Sequence, residues 1–185
     1  MELSYRTSSE WVVVWSETLP LEQPFHRHVE LHRGEPFVCL LDSASEMAGL
    51  GRYSFIGAAP RSVLRVKRAA DGGGGGDGFA ELERSLAAIA MPKDLRAQFA
   101  LPFIGGYVGY VGYDAGRYLE RLPDRLEDDL ALPDLYLMLV DQLLAHDRVS
   151  KRTQLLTTGR GATLDEAAHD AATRHAAYRA RVLAF

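Results

Sequence analysis

The residues best equipped for chemistry lie in the first third of the chain. His26, His28 and His32 are half of the 6 histidines. His28 and His32, four apart, would share one face of a helix, as zinc-binding pairs do. In His28-Val29-Glu30-Leu31-His32 the glutamate stands one position away from where a zinc hydrolase places its general base. No third ligand is marked, so the simpler reading is solvated histidines on an exposed helix face. Cys39 lies within the apolar run Phe37–Leu41, where a thiol is normally inert. Ser43 lacks the glycine-flanked turn of a serine hydrolase. Asp128 and Asp129, beside Asp124 and Glu127, fit a solvated acidic loop better than an acid–base pair. The glycines of Asp71–Gly78 lack the lysine and hydroxyl of a phosphate loop, and those at 105, 106, 109 and 112 fail the dinucleotide spacing. No catalytic residue and no metal site is assigned. What remains suits binding: a Ser43 hydroxyl at a strand end, then Arg52 as a carboxylate partner with Tyr53 and Phe55 as aromatic walls. Spacing alone fits equally well a strand whose Tyr53 and Phe55 merely alternate with Ser54 as packed and exposed positions.

Positioning these groups falls to a set of short strands. Trp11–Trp15 is β-branched and aromatic and reads as a strand, stopped by Pro20 and Pro24. Pro24 suits the first residue of a short helix with Phe25 and Val29 on one face and Gly34 past its end. Phe37–Leu41 reads as a strand buried on both faces, ending in the polar loop Asp42–Ser45. Arg52–Ile56 and Ser62–Lys67 are two further strands. The low-complexity run 71–78 is expected to be a flexible surface loop. It leads into a helix with Phe79, Leu82, Leu86 and Ile89 as its apolar stripe. A helix over 105–112 would cost about 1 kcal/mol per glycine relative to alanine, so an extended strand with close backbone approach is expected there. A short helix follows over Asp114–Arg121, cut by Pro123. Leu135–His146 and Thr153–Thr157 read as hairpin arms turning at 147–152. Thr163 with Glu166 fits a capping box opening an alanine-rich helix that runs to the last residue. Clustered strands without strict alternation with helices predict an α+β fold of mainly antiparallel sheets.

The 185 residues fit one domain or a small two-layer pair, with 47% hydrophobic and 25% charged residues. Net charge is −4, without the basic footprint of a nucleic-acid binder. No apolar run is long enough to span a bilayer, no secretory signal opens the chain, and a single cysteine suits a reducing compartment. A cytoplasmic protein without nucleic-acid or membrane partners is expected.

Three segments carry a family resemblance. They are Leu40-Leu41-Asp42-Ser43-Ala44 with Gly51-Arg52-Tyr53-Ser54-Phe55-Ile56-Gly57; Pro102–Asp114 running into Arg117–Pro123; and Asp128-Asp129-Leu130 with Leu132-Pro133-Asp134 and the strand Leu135–Val140. In this order they resemble the N-terminal domain of the large subunit (component I) of anthranilate synthase and aminodeoxychorismate (para-aminobenzoate) synthase, over roughly residues 10–160. The resemblance implies a component I N-terminal domain over 1–160 and a helix over 161–185 leading towards the chorismate-binding catalytic domain. In the family that second domain supplies the Mg2+-binding glutamates, so this chain alone is expected to hold no cofactor and to be catalytically inactive. The family's N-terminal domain supports the catalytic domain, works beside a glutamine amidotransferase subunit and holds L-tryptophan. Carried over, the tryptophan pocket comprises Leu41, Ser43, Arg52, Tyr53 and Phe55, with weak binding expected from this chain alone. Asp42 replaces the glutamate more usual in feedback-sensitive anthranilate synthases. Together with the short lead-in and the 116–123 stretch, it leans the reading towards the folate branch, whose product is 4-amino-4-deoxychorismate. The alternatives are the feedback-regulated tryptophan branch and a non-catalytic interaction protein with this fold.

Overall fold

The computed structural model describes residues 1–43, 50–68, 77–120 and 128–185. The glycine run over 71–76, the end of the Asp114–Arg121 helix with its stop at Pro123, and the neighbours Asp124 and Glu127 lie outside the described residues, as do Ala44 and Ser45.

Among the described residues nine strands form: β1 Glu2–Arg6, β2 Trp11–Leu19, β3 Cys39–Leu41, β4 Tyr53–Gly57, β5 Ser62–Val66, β6 Gly106–Val111, β7 Leu135–Val140, β8 Gln142–Asp147 and β9 Arg152–Gly161. All pairings are antiparallel, in a six-stranded sheet ordered β1-β2-β9-β8-β4-β3 and a three-stranded sheet ordered β5-β7-β6. With helices α1 Gly78–Ala88, α2 Lys93–Arg96 and α3 Leu164–Leu183 this is the expected α+β fold. Side-chain alternation then divides the large sheet into two faces. Val12, Val14, Phe55, Leu143, Ala145 and Leu156 face Met138 and Val140 of the small sheet. Ile56, Leu144 and Leu155 face the other way, against Tyr178 and Val182 of α3 and Phe25. On the far side of the small sheet, Leu64, Val66, Leu135 and Leu137 pack on Phe79 and Leu82 of α1.

The glycine-rich segment is a strand for the reason anticipated: a Cβ on Gly109 would lie 1.9 Å from the Tyr136 carbonyl oxygen. Only a residue without a side chain lets β6 lie this close to β7. Thr163 and Glu166 form the reciprocal capping box, and α3 reaches Leu183 with Ala184 as its cap. Of the stripe expected on α1, Leu86 stays 47% exposed.

Several expectations are corrected. Phe37–Leu41 is not a doubly buried strand: only Cys39–Leu41 is extended, at the sheet edge, with Phe37, Leu40 and Leu41 exposed. Leu135–His146 is not one hairpin arm. It divides at Asp141, whose buried carboxylate is held by Arg61 and Arg174, so β7 enters the small sheet while β8 pairs with β9. The helix after Pro24 is a 3-10 helix, Phe25–His32, and its geometry turns Phe25, His28 and His32 inward. His28 and His32 are therefore buried rather than solvated, and only His26 of the three is exposed. A second 3-10 helix spans Tyr113–Tyr118.

Candidate functional site

The β3–β4 pairing sets Leu41 opposite Phe55. Partners in register share a face, and Tyr53, two residues before Phe55, joins them on the side turned to the small sheet. Tyr53 stacks on Phe55 with ring centres 6.3 Å apart, and Phe103 meets Phe55 edge-on at 5.6 Å. Phe55 is buried, Tyr53 half-buried and Leu41 exposed, so this aromatic wall opens to solvent at the sheet edge. At its rim the Arg52 guanidinium lies 4.9 Å from the Tyr53 ring centre, within cation–π range. Arg52 also donates to both Asp147 oxygens, at 2.9 and 2.7 Å. That fork, with further donation from the Ser150 and Val149 amides, holds the Asp147 carboxyl well below the usual carboxylate range.

Ser43 is at the same edge but serves the strand end. Its hydroxyl donates to the Tyr53 carbonyl at 2.8 Å and its amide donates to Ser54 Oγ at 3.3 Å. Ser54, buried on the opposite face from Tyr53, donates in turn to Asp42 Oδ1 at 2.6 Å. The structure thus brings Leu41, Arg52, Tyr53 and Phe55 into one apolar, charge-rimmed surface, with Ser43 bracing it from the side. Behind Ser43 opens a cavity of about 270 Å3 lined by Phe25, His26, Asp42, Ser54, His146, Arg148 and Lys151. Burial is the main cause pushing the His146 imidazole below its ordinary value, and its ring stacks on Phe25 at 5.2 Å. Asp147, His146 and Arg148 had no signal in the sequence, because the β8–β9 hairpin carries them to β4 from about 95 residues away.

The remaining candidates have structural partners. His28 Nδ1 donates to the Pro24 carbonyl at 3.3 Å, and burial holds its pKa down. His32 lies 2.9 Å from Glu35 Oε2 through Nδ1 and 2.7 Å from the Tyr178 hydroxyl through Nε2. Cys39 is half-buried, and burial pushes its thiol up, away from the reactive thiolate. Asp128 is half-exposed, pairs with Lys67 at 2.5 Å and accepts from the Ala131 amide. Among the described residues no group of three or more His, Cys, Asp or Glu side chains is arranged to hold a metal ion, and no helix is long and apolar enough to cross a membrane.

No protein-family model matches the chain. Individual relatives do. It is 35% identical over 135 residues to anthranilate synthase component 1 of Mycobacterium tuberculosis, covering 68% of this chain and 26% of that protein. The component 1 of Arthrobacter globiformis is 30% identical over 177 residues, 87% of this chain and 32% of its own length. That of Saccharomyces cerevisiae is 38% identical over 119 residues, covering 63% and 22% respectively. The chain thus spans between about a fifth and a third of the length of the curated relatives it matches. The chain is a relative of anthranilate synthase component 1, consistent with the N-terminal domain of that protein.

Proposed function

We propose that the chain is the tryptophan-binding domain of an anthranilate synthase, serving an enzyme that turns chorismate and glutamine-derived ammonia into anthranilate. The observation that carries this reading is the match to relatives named as component 1 of that enzyme. Those names favour the tryptophan branch over the folate branch to which Asp42 and the 116–123 stretch lean. The edge surface suits the ligand. An indole can lie on Leu41, Tyr53 and Phe55, while the zwitterionic head meets the Arg52–Asp147 pair, carboxylate to guanidinium and ammonium to carboxylate. Exposed Phe37 and Leu40, at and just before β3 on the same edge, offer an apolar surface to the catalytic domain, with the amidotransferase subunit beyond it. A cytoplasmic setting accords with a lone, unreactive cysteine.

Calorimetric titration with L-tryptophan, with D-tryptophan as control, tests the reading. Saturable heat with the L isomer, weakened at least tenfold by Tyr53→Ala and by Arg52→Gln, is expected. No saturable heat from folded chain, equal heat from both isomers, or unaltered affinity in both variants would contradict it.

A further inference from the structure

A second cavity, of about 370 Å3, lies between the two sheets at the end remote from β3. Its floor is made by two cross-strand rows. Tyr5 and Arg160 line it, in register through Val12 across β1, β2 and β9, and Val14 and Thr158 line it from the next row. Ile89, Met91, Phe103 and Ile104 supply an apolar roof. The volume falls at the small end of the range for ligand cavities, about 300–1,000 Å3.

Its polar groups are unusually placed for a gap in a core. The Arg160 side chain is only 9% exposed, and its Nη1 donates to Glu10. Its Nε is fully buried and has no acceptor among the described residues. A buried charged donor without an acceptor is costly, and such a group in a native fold calls for a missing partner. Arg96 also lines the cavity, and among the described residues its guanidinium bonds backbone carbonyls, those of Leu101 and Pro102 at 2.7 Å and Phe99 at 3.4 Å. The carboxylate that lines the cavity, Asp141, is already committed to Arg61 and Arg174. The local balance is therefore cationic beside an apolar roof. Burial raises the Tyr5 hydroxyl's pKa, keeping it a protonated donor on the same floor.

We propose that this cavity is a binding site for a small monocarboxylate with a flat apolar body, its carboxylate accepting from Arg160 and its ring lying under Met91 and Phe103. The cavity adjoins the Arg52–Phe55 surface through Phe103, which meets Phe55 edge-on, but shares none of Leu41, Ser43, Arg52, Tyr53 or Phe55 with it and does not depend on the tryptophan reading.

The test uses the full chain with 3-phenylpropionate as probe and the neutral 3-phenylpropionamide as control, followed by calorimetry and saturation-transfer NMR. The acid is expected to bind saturably and at least tenfold more tightly than the amide. Arg160→Met is expected to weaken it at least tenfold, and saturating L-tryptophan to leave it unchanged. Because Arg160→Met also loses the Glu10 pair, Ala90→Trp at the exposed rim is the second variant. It should abolish binding while leaving the thermal melt unaltered. Absence of saturable binding, equal affinity for acid and amide, undiminished binding in both variants, or displacement by L-tryptophan would each overturn the proposal.

Discussion

Replacing Gly159 by alanine probes the contact that seats α3 on the large sheet. Gly159 sits opposite Val13 in the β2–β9 ladder, directly beneath the helix. A Cβ there would lie 2.1 Å from the Ala167 carbonyl oxygen, 2.3 Å from the Ala171 amide nitrogen and 2.7 Å from Ala171 Cα. All three are backbone atoms, so no side-chain rotation relieves them and the helix must lift by more than an ångström. That movement would loosen Ala167, Ala171, His175, Tyr178 and Val182, all buried against the sheet. Overpacking of this kind costs about 3 kcal/mol, offset by about 0.4–1 kcal/mol from the stiffer unfolded chain. The expected net loss is about 2–3 kcal/mol. At about 2–4 °C per kcal/mol for a domain of this size, the Tm falls by about 4–12 °C. Urea and thermal unfolding followed by circular dichroism measure both quantities. A Gly159→Ala chain within about 0.5 kcal/mol of the parent would refute the close packing of α3 on β9, because surface-like tolerance is incompatible with these contacts.

Three further outcomes follow from the same contacts. Tyr178→Phe removes the hydroxyl 2.7 Å from His32 Nε2 and leaves a buried ring nitrogen unpaired, so urea unfolding should show a loss of about 1–3 kcal/mol. The carboxyls of Asp147, held down by Arg52, and Glu17, held down by Arg179 and His175, are depressed in the folded state. Their stabilisation is complete above the unfolded carboxylate pKa of about 4 and lost as pH falls through the lower folded values, so stability should drop on acidification below about pH 4, less steeply in Asp147→Asn. His28 is depressed by burial, so the unfolded chain takes up its proton first as pH falls below about 6.5. Unfolding measured across that range should show stability declining towards acid, with His28→Gln flattening the decline.

Much of the fold was legible where local chemistry and tertiary packing agree. Thr163 and Glu166 announce their helix through a reciprocal cap that needs no other part of the chain. Gly109 announces close approach, although not that Tyr136 would be the neighbour. The failures share one cause, dependence on distant residues. His32 is buried where Tyr178, 146 residues later, meets its Nε2. Phe37–Leu41 has the composition of a buried strand, yet the strand order leaves it at an edge with Phe37, Leu40 and Leu41 exposed. The split at Asp141 turns on Arg61 and Arg174, which arrive from β5's lead-in and from α3. At the candidate site, Arg52, Tyr53 and Phe55 were visible as neighbours in sequence, while Asp147, the partner that shapes the charged rim, was not.

The most direct test of the tryptophan-binding reading is an amide-resolved NMR titration of isotopically labelled chain with L-tryptophan. The account predicts saturable shifts concentrated at Leu41, Ser43 and Arg52–Phe55, extending to Asp147 across the Tyr53 pairing. Shifts confined to other parts of the molecule, or none at saturating ligand in a folded chain, would contradict it.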